Sequence, residues 1–155
     1  MTIRFAGADD LPGVNLLRRE LHELHANGKP ERFQPGFSRA LERHLYEIWE
    51  HPDKQLIVAE LDGEICGFAI FQEIRKGASP YMLPQHTLDI DEFGVSSAHR
   101  RQGVGTALIG FIRKYATGLG IERIQLNMWE FNQAALAFYE ASGFTTYRRF
   151  MELKP

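Results

Sequence analysis

Cysteine is almost absent: Cys66 stands alone, so no internal disulfide forms, and the expected setting is reducing and cytoplasmic. Long apolar runs are missing too. No stretch approaches the ~20 residues of a membrane-spanning helix, and residues 1–10 lack the basic start and apolar segment of a signal peptide. No membrane partner is expected. Nor is there a charge excess: 18 Lys and Arg against 20 Asp and Glu leave a net charge of -2. A general nucleic-acid binder carries a basic surplus, so no nucleic-acid partner is expected. Repeats, low-complexity tracts and linkers are also lacking.

What is present suits one domain over residues 1–155, with 44% hydrophobic residues for its core. Residues 2–5 read as a short strand. Asp9 or Asp10 caps the next helix and Pro12 fits its first turn. Leu16, Leu17, Leu21 and Leu24 recur at helical spacing until Asn27-Gly28 and Pro30. Residues 29–36 read as a polar loop containing Phe33. A second helix covers 38–50, with Leu41, Leu45 and Ile48 on its apolar face. Strands follow at 55–61 and 65–73, joined by the hairpin turn Asp62-Gly63. After a loop, 87–95 is the third strand of the meander. A helix over 103–117, a strand over 121–128, a helix over 131–141 and a last strand over 144–153 complete the chain. The crossover helix between 87–95 and 121–128 requires a parallel pair there. The fold class is therefore α+β: a mostly antiparallel central sheet with one parallel pair and helices on both faces.

The turn between the third strand and its helix is the chemical centre of the sequence. It reads Arg100, Arg101, Gln102, Gly103, Val104, Gly105, Thr106. Amides in the first turn of a helix have no intrahelical partner and carry the positive end of the dipole. Glycines there let an anion approach the backbone. A phosphate-bearing ligand is expected on this turn. A nucleotide-binding reading is disfavoured, because the turn has neither a Gly-Lys-Ser/Thr end nor three-glycine Rossmann spacing.

Arg100-x-x-Gly103-x-Gly105 resembles the acyl-CoA pyrophosphate signature of the GNAT superfamily of N-acetyltransferases. Asn132-x-x-Ala135-x-x-Phe138-Tyr139 followed by Gly143-Phe144 resembles that superfamily's later motif, also on a strand–helix unit. The two motifs are separated as in the family, and the N-terminal helices and hairpin agree. The resemblance covers nearly the whole chain and is weakest over 20–36.

The resemblance implies acetyl-CoA as co-substrate. Backbone N–H groups of residues 101–106 would hold the pyrophosphate, with the Arg100 and Arg101 side chains adding attraction or merely facing solvent. The pantetheine arm would lie where the parallel pair splays, bonded to the main chain of Phe93 and Val95. The Phe93 N–H would also polarise the thioester carbonyl. Gly94 would relieve crowding or form a bulge. Asn132 is either a helix cap alone or a pantetheine ligand as well. Tyr139 would be the acid beside the leaving sulfur, the other reading being a core aromatic.

An attacking amine must lose a proton, since alkylamines have a pKa near ~10.4. Residues 88–92 place Asp89, Asp91 and Glu92 on an otherwise apolar strand. Asp91 stands where polyamine-acetylating members carry a glutamate base, and Asp89 where histone-acetylating members do. The order of preference for the base is Asp91, Glu92, Asp89, with a bulge near Gly94 reorienting Glu92. His22 and His25 at the end of the first helix, with Phe33 and Trp129, are either acceptor-pocket lining or ordinary packing. His-Glu-Leu-His is not the His-Glu-x-x-His zinc pattern, so no metal is expected.

The expected function is direct acetyl transfer from acetyl-CoA to a primary amine, a small molecule or a side chain, in a ternary complex. The carboxylates favour a small cationic acceptor. Asp91-Glu92-Phe93 and Trp129-Glu130-Phe131-Asn132 resemble stretches of diamine acetyltransferases. The alternative is an acyl-CoA sensor without turnover. Tyr147 and Phe150 in the last strand either cover the edge of a homodimer or merely finish the sheet.

Overall fold

A computed structural model describes all 155 residues. Its five strands lie in sequence order: β1 (Thr2–Phe5), β2 (Lys54–Leu61), β3 (Glu64–Lys76), β4 (Gln85–Val95) and β5 (Arg123–Leu126). The first four are antiparallel neighbours, while β4 and β5 are parallel. Four longer helices pack around them: α1 (Leu11–Gly28), α2 (Arg39–Glu50), α3 (Val104–Gly118) and α4 (Gln133–Ala141).

Period-2 alternation sorts the strand residues onto two cores. Leu56, Val58, Phe68 and Ile70 face α1 and α2, against Leu11, Val14, Leu17, Leu45 and Ile48. Ile57, Ala59, Ala69, Phe71, Leu88 and Ile90 face α3, against Val104, Leu108, Ile109 and Ile112. Strands β2 and β3 are thus apolar on both faces, which is why they read as nearly continuous hydrophobic runs.

The expected hairpin turn is present, and two further local features position the elements. Asp62 and Gly63 have φ of 52° and 84°, the left-handed pair of a two-residue hairpin turn. Ser38 caps α2 by accepting from the Leu41 N–H at 3.3 Å. Cys66 is a fully buried core residue.

Three expectations change. Residues 144–153 form no strand: the tail is irregular, with Tyr147, Phe150, Met151 and Leu153 exposed. Leu16 points to solvent, and the buried stripe of α1 runs instead through Leu11, Val14, Leu17 and Arg18. Asp10 precedes α1 without a side-chain cap bond there. Its carboxylate accepts from Gly7 N–H at 2.7 Å and from Arg4, whose guanidinium holds it below the usual carboxylate range.

Candidate active site

The bulge in β4 lies at Asp91, three residues before Gly94. Ile90 pairs with Phe71 and Glu92 with Ile70, so Asp91 is the extra residue. Leu88 and Ile90 face α3 before it, and Phe93 and Val95 pack against that same core after it. Glu92 is thereby moved to the α1 face. Were Asp91 paired regularly instead of bulged out, the Glu92 carboxylate would enter the apolar layer under α3.

The pairing of β4 with β5 ends at Ile90 and Leu126. Beyond that point the two strands part. The Ser96 N–H donates to the Cys66 carbonyl at 2.9 Å. Because an antiparallel ladder alternates, Gly94 then faces β3, while Phe93 and Val95 turn their main-chain groups away from it. Those groups point to the side that β5 has left. Gly94 is required for packing, since a Cβ there would lie 2.6 Å from the Phe68 ring.

The basic turn closes one end of this opening. Ser97–His99 form a single 3-10 turn, Arg101 and Gly103 adopt φ of 61° and 83°, and α3 starts at Val104. Arg100, Arg101, Gln102 and Gly103 are exposed. The amides of residues 101–106 have no acceptor in the protein, and no side chain caps the helix. Gly105 has a packing role: a Cβ would stand 2.9 Å from the Phe138 ring, so α3 and α4 touch through this glycine. His99 Nδ1, in the same turn, is buried without a hydrogen-bond partner.

A cleft of about 330 Å³ opens beside the splayed strands, between α1, the 29–38 loop and α4. Tyr139 and Asn132 enter it from α4. The Asn132 Oδ1 accepts from the Ala135 N–H at 3.1 Å, which is helix capping, and its amide NH2 remains for a ligand. The Tyr139 ring lies 6.0 Å from Phe93 and 5.6 Å from Phe144. Burial pushes its phenol up to about 12, so it stays protonated at neutral pH.

From α1 come Arg18, His22 and His25. The positions 11, 14, 18, 21 and 25 follow one helical stripe, and that stripe faces the sheet and cleft. Arg18 is 5% exposed and grips Glu92 with two bonds, Nε to Oε2 at 2.8 Å and Nη2 to Oε1 at 2.9 Å. Its Nη1 donates to the Leu41 carbonyl at 2.9 Å. His22 Nε2 donates to the Gln34 carbonyl at 2.8 Å. Burial, and then the neighbouring His22, hold His25 below the usual histidine pKa, against the opposing pull of Glu92.

Phe33, Trp129, Asp91, Glu92 and Phe93 also line the cleft. Asp91 is bound by Lys54 Nζ at 2.5 Å and by Gln72 Nε2 at 3.1 Å. Asp89 is not among the lining residues. It accepts from Thr87 Oγ1 and Gln125 Nε2, both at 2.8 Å, in a cluster extended by Tyr147. Sequence reasoning missed Arg18, Lys54, Phe37 and Met128. Arg18 had a legible signal, a charge on the apolar stripe of a helix, which demands a buried partner.

The chain belongs to the GNAT acetyltransferase family: the model of the acetyltransferase (GNAT) family matches residues 18–144. It is similar to L-ornithine N5-acetyltransferase NATA1 of Arabidopsis thaliana, 26% identical over 117 residues, covering 74% of this chain and 50% of that protein. It is 29% identical over 87 residues to N-acetyltransferase family 8 member 3 of Mus musculus, covering 56% and 37% of the two chains. The chain thus spans half or less of these curated relatives. Among solved structures, a tetramutant of the BH1408 protein from Bacillus halodurans superposes with a TM-score of 0.95 at 22% identity over the full length of both. Aminoglycoside N-acetyltransferase AAC(6')-Iy, solved with CoA, gives a TM-score of 0.77 at 19% identity, covering 99% and 93% of the chains. These likenesses are of fold, and the α+β sheet with its single parallel pair is the one they share.

Proposed function

We propose that the protein is an acetyl-CoA-dependent N-acetyltransferase that acts on a small primary amine in a ternary complex. One juxtaposition carries this reading. The main chain of Phe93 and Val95 turns to the side that β5 has left, the partnerless amides of residues 101–106 follow directly on that strand end, and the Tyr139 phenol enters the cleft that Phe93 also lines. The residues suit such a donor: a helix N-terminus for its phosphates, strand edge for its peptide-like arm, and a neutral hydroxyl for its sulfur. When bound, acetyl-CoA supplies an activated acyl carbon.

The chain's own groups divide the remaining work. Amides 101–106 hold the anionic end, and exposed Arg100 and Arg101 add attraction. Phe93 and Val95 orient the arm, Asn132 adding its free NH2. The Phe93 N–H bonds the carbonyl oxygen as negative charge grows on it. Tyr139 donates a hydrogen bond to the departing sulfur. Complete proton transfer from a phenol at about 12 to a thiolate with a conjugate-acid pKa of ~8.5 would cost about 5 kcal/mol, so the sulfur leaves as a hydrogen-bonded thiolate and is protonated by buffer at neutral pH after release. The amine proton leaves through water towards the cleft carboxylates. Asp91 and Glu92 both line that cleft, each already ion-paired, Asp91 with Lys54 and Glu92 with Arg18, so water carries the proton out past them. His22, His25, Phe33 and Trp129 form the acceptor wall.

Calorimetric titration with acetyl-CoA, followed by thiol release across an amine panel, tests the proposal. Micromolar binding with amine-dependent thiol release is expected. Binding without release for every amine would make the protein a sensor, and no binding would remove the reading.

A further inference from the structure

The carboxylates that make the sequence look suited to a polycation are all engaged. Arg18 takes both oxygens of Glu92. Lys54 and Gln72 take Asp91. Asp89 lies outside the cleft, on Thr87 and Gln125. On the α1 side, Glu20 accepts from the Ser97 N–H, and Glu42 pairs with Arg19. Glu23 and Glu130 are exposed and are not among the lining residues. A second ammonium entering the cleft therefore meets no unpaired acid, and it must shed its water to enter.

Rings dominate the wall instead. Phe33 stacks on His25 at 5.3 Å with 22° between planes, and it meets Trp129 edge-on at 5.3 Å. His22 joins Phe33 to Phe37, at 6.2 and 6.0 Å. This row bridges α1, the 29–38 loop and the β5–α4 connection, so it spans the mouth of the cleft. Trp129 remains 37% exposed, which leaves its ring within reach of a ligand. His25 meets a ligand as a neutral ring, for the reason of burial given above. The cleft, about 330 Å³, is at the small end of ligand sites and fits one ring with a short arm.

We infer that the acceptor is a primary amine with a single positive charge, carried by a short arm on a flat apolar ring that packs against Phe33 and Trp129. This rests on the transferase reading above. It departs from the polyamine expectation drawn from the strand carboxylates, whose charge Arg18 and Lys54 neutralise. Flat rings gain from offset or edge contacts with the aromatic row, and the row presents no acid to hold a distal ammonium.

The test compares 2-phenylethylamine, hexylamine and 1,5-diaminopentane as acceptors at saturating acetyl-CoA, reading thiol release. All three carry an ordinary alkyl primary amine, so differences report the scaffold. We expect kcat/KM for 2-phenylethylamine to exceed that for 1,5-diaminopentane at least 10-fold. Trp129→Ala and Phe33→Ala should shrink that ratio about 10-fold, mostly through KM, with unchanged acetyl-CoA affinity by titration. Equal or greater use of the diamine, or a ratio that neither variant moves, overturns the inference while leaving the transferase reading intact. Failure of the wild-type protein to bind acetyl-CoA overturns both.

Discussion

Tyr139 and Glu92 reach the same cleft under opposite physical conditions. Tyr139 is half-buried among Phe93, Phe138 and Phe144, and the loss of water around it holds its proton tightly. Its folded pKa, about 12, lies above the ordinary tyrosine value. The phenol is therefore neutral throughout the range in which an enzyme assay is run. Tyr139→Phe should lower kcat about 10- to 100-fold and leave both limbs of the pH–rate profile between pH 6 and 10 in place. A shifted alkaline limb in that variant would show that the phenol titrates during turnover. Glu92 instead owes its position to an ion pair with an almost fully buried guanidinium. Glu92→Gln leaves Arg18 with only its bonds to Leu41 and Asn15, so urea unfolding should show a loss of about 2–4 kcal/mol. An unchanged urea midpoint would mean that water replaces the carboxylate without penalty.

The bulge at Asp91 is the decision taken at the scale of elements. It reverses which residues of β4 face α1 and which face α3. Deleting Asp91 should restore regular alternation while keeping every β3 partner, with Glu92 still towards α1 and Phe93 towards α3, so the variant should express as folded, soluble protein. Asp91→Asn should cost less than about 1 kcal/mol by thermal unfolding, since only a partly exposed pair with Lys54 is lost. A tolerated deletion is the measurement that checks the bulge, and insoluble protein on deleting Asp91 would contradict it. Regular elements were readable from the sequence because periodicity and turn residues are local: the Asp62-Gly63 hairpin, the second helix and the crossover helix all stand where the residues put them. The donor half of the site was readable for the same reason, being built from two short motifs. The acceptor half was not. It depends on which residues of α1 turn inwards, and the Arg18–Glu92 pair joins positions 74 residues apart. The tail misled in the other direction. Its aromatic and arginine alternation is strand-like, yet nothing pairs with it along the outer edge of β5.

At the scale of the molecule, that edge and tail have a consequence for solution behaviour. Tyr147, Phe150, Met151 and Leu153 are 75–94% exposed, and β5 has β4 as its single neighbour. Exposed apolar groups beside an unpaired strand edge favour self-association. Light scattering should show a mass that rises with concentration, and Phe150→Lys together with Leu153→Lys should hold it at the monomer value. A monomer at every concentration in the unaltered chain would contradict this.

The parting of β4 from β5 after Ile90 and Leu126 also governs the order in which molecules come and go. The phosphate turn belongs to α3 on one side of the sheet, while the aromatic row belongs to α1 and its loop on the other. If each substrate enters from its own side of the sheet, neither has to wait for the other. Initial-rate plots should then intersect, and an unreactive amine analogue should be noncompetitive towards acetyl-CoA. An uncompetitive pattern would mean that acetyl-CoA has to bind first.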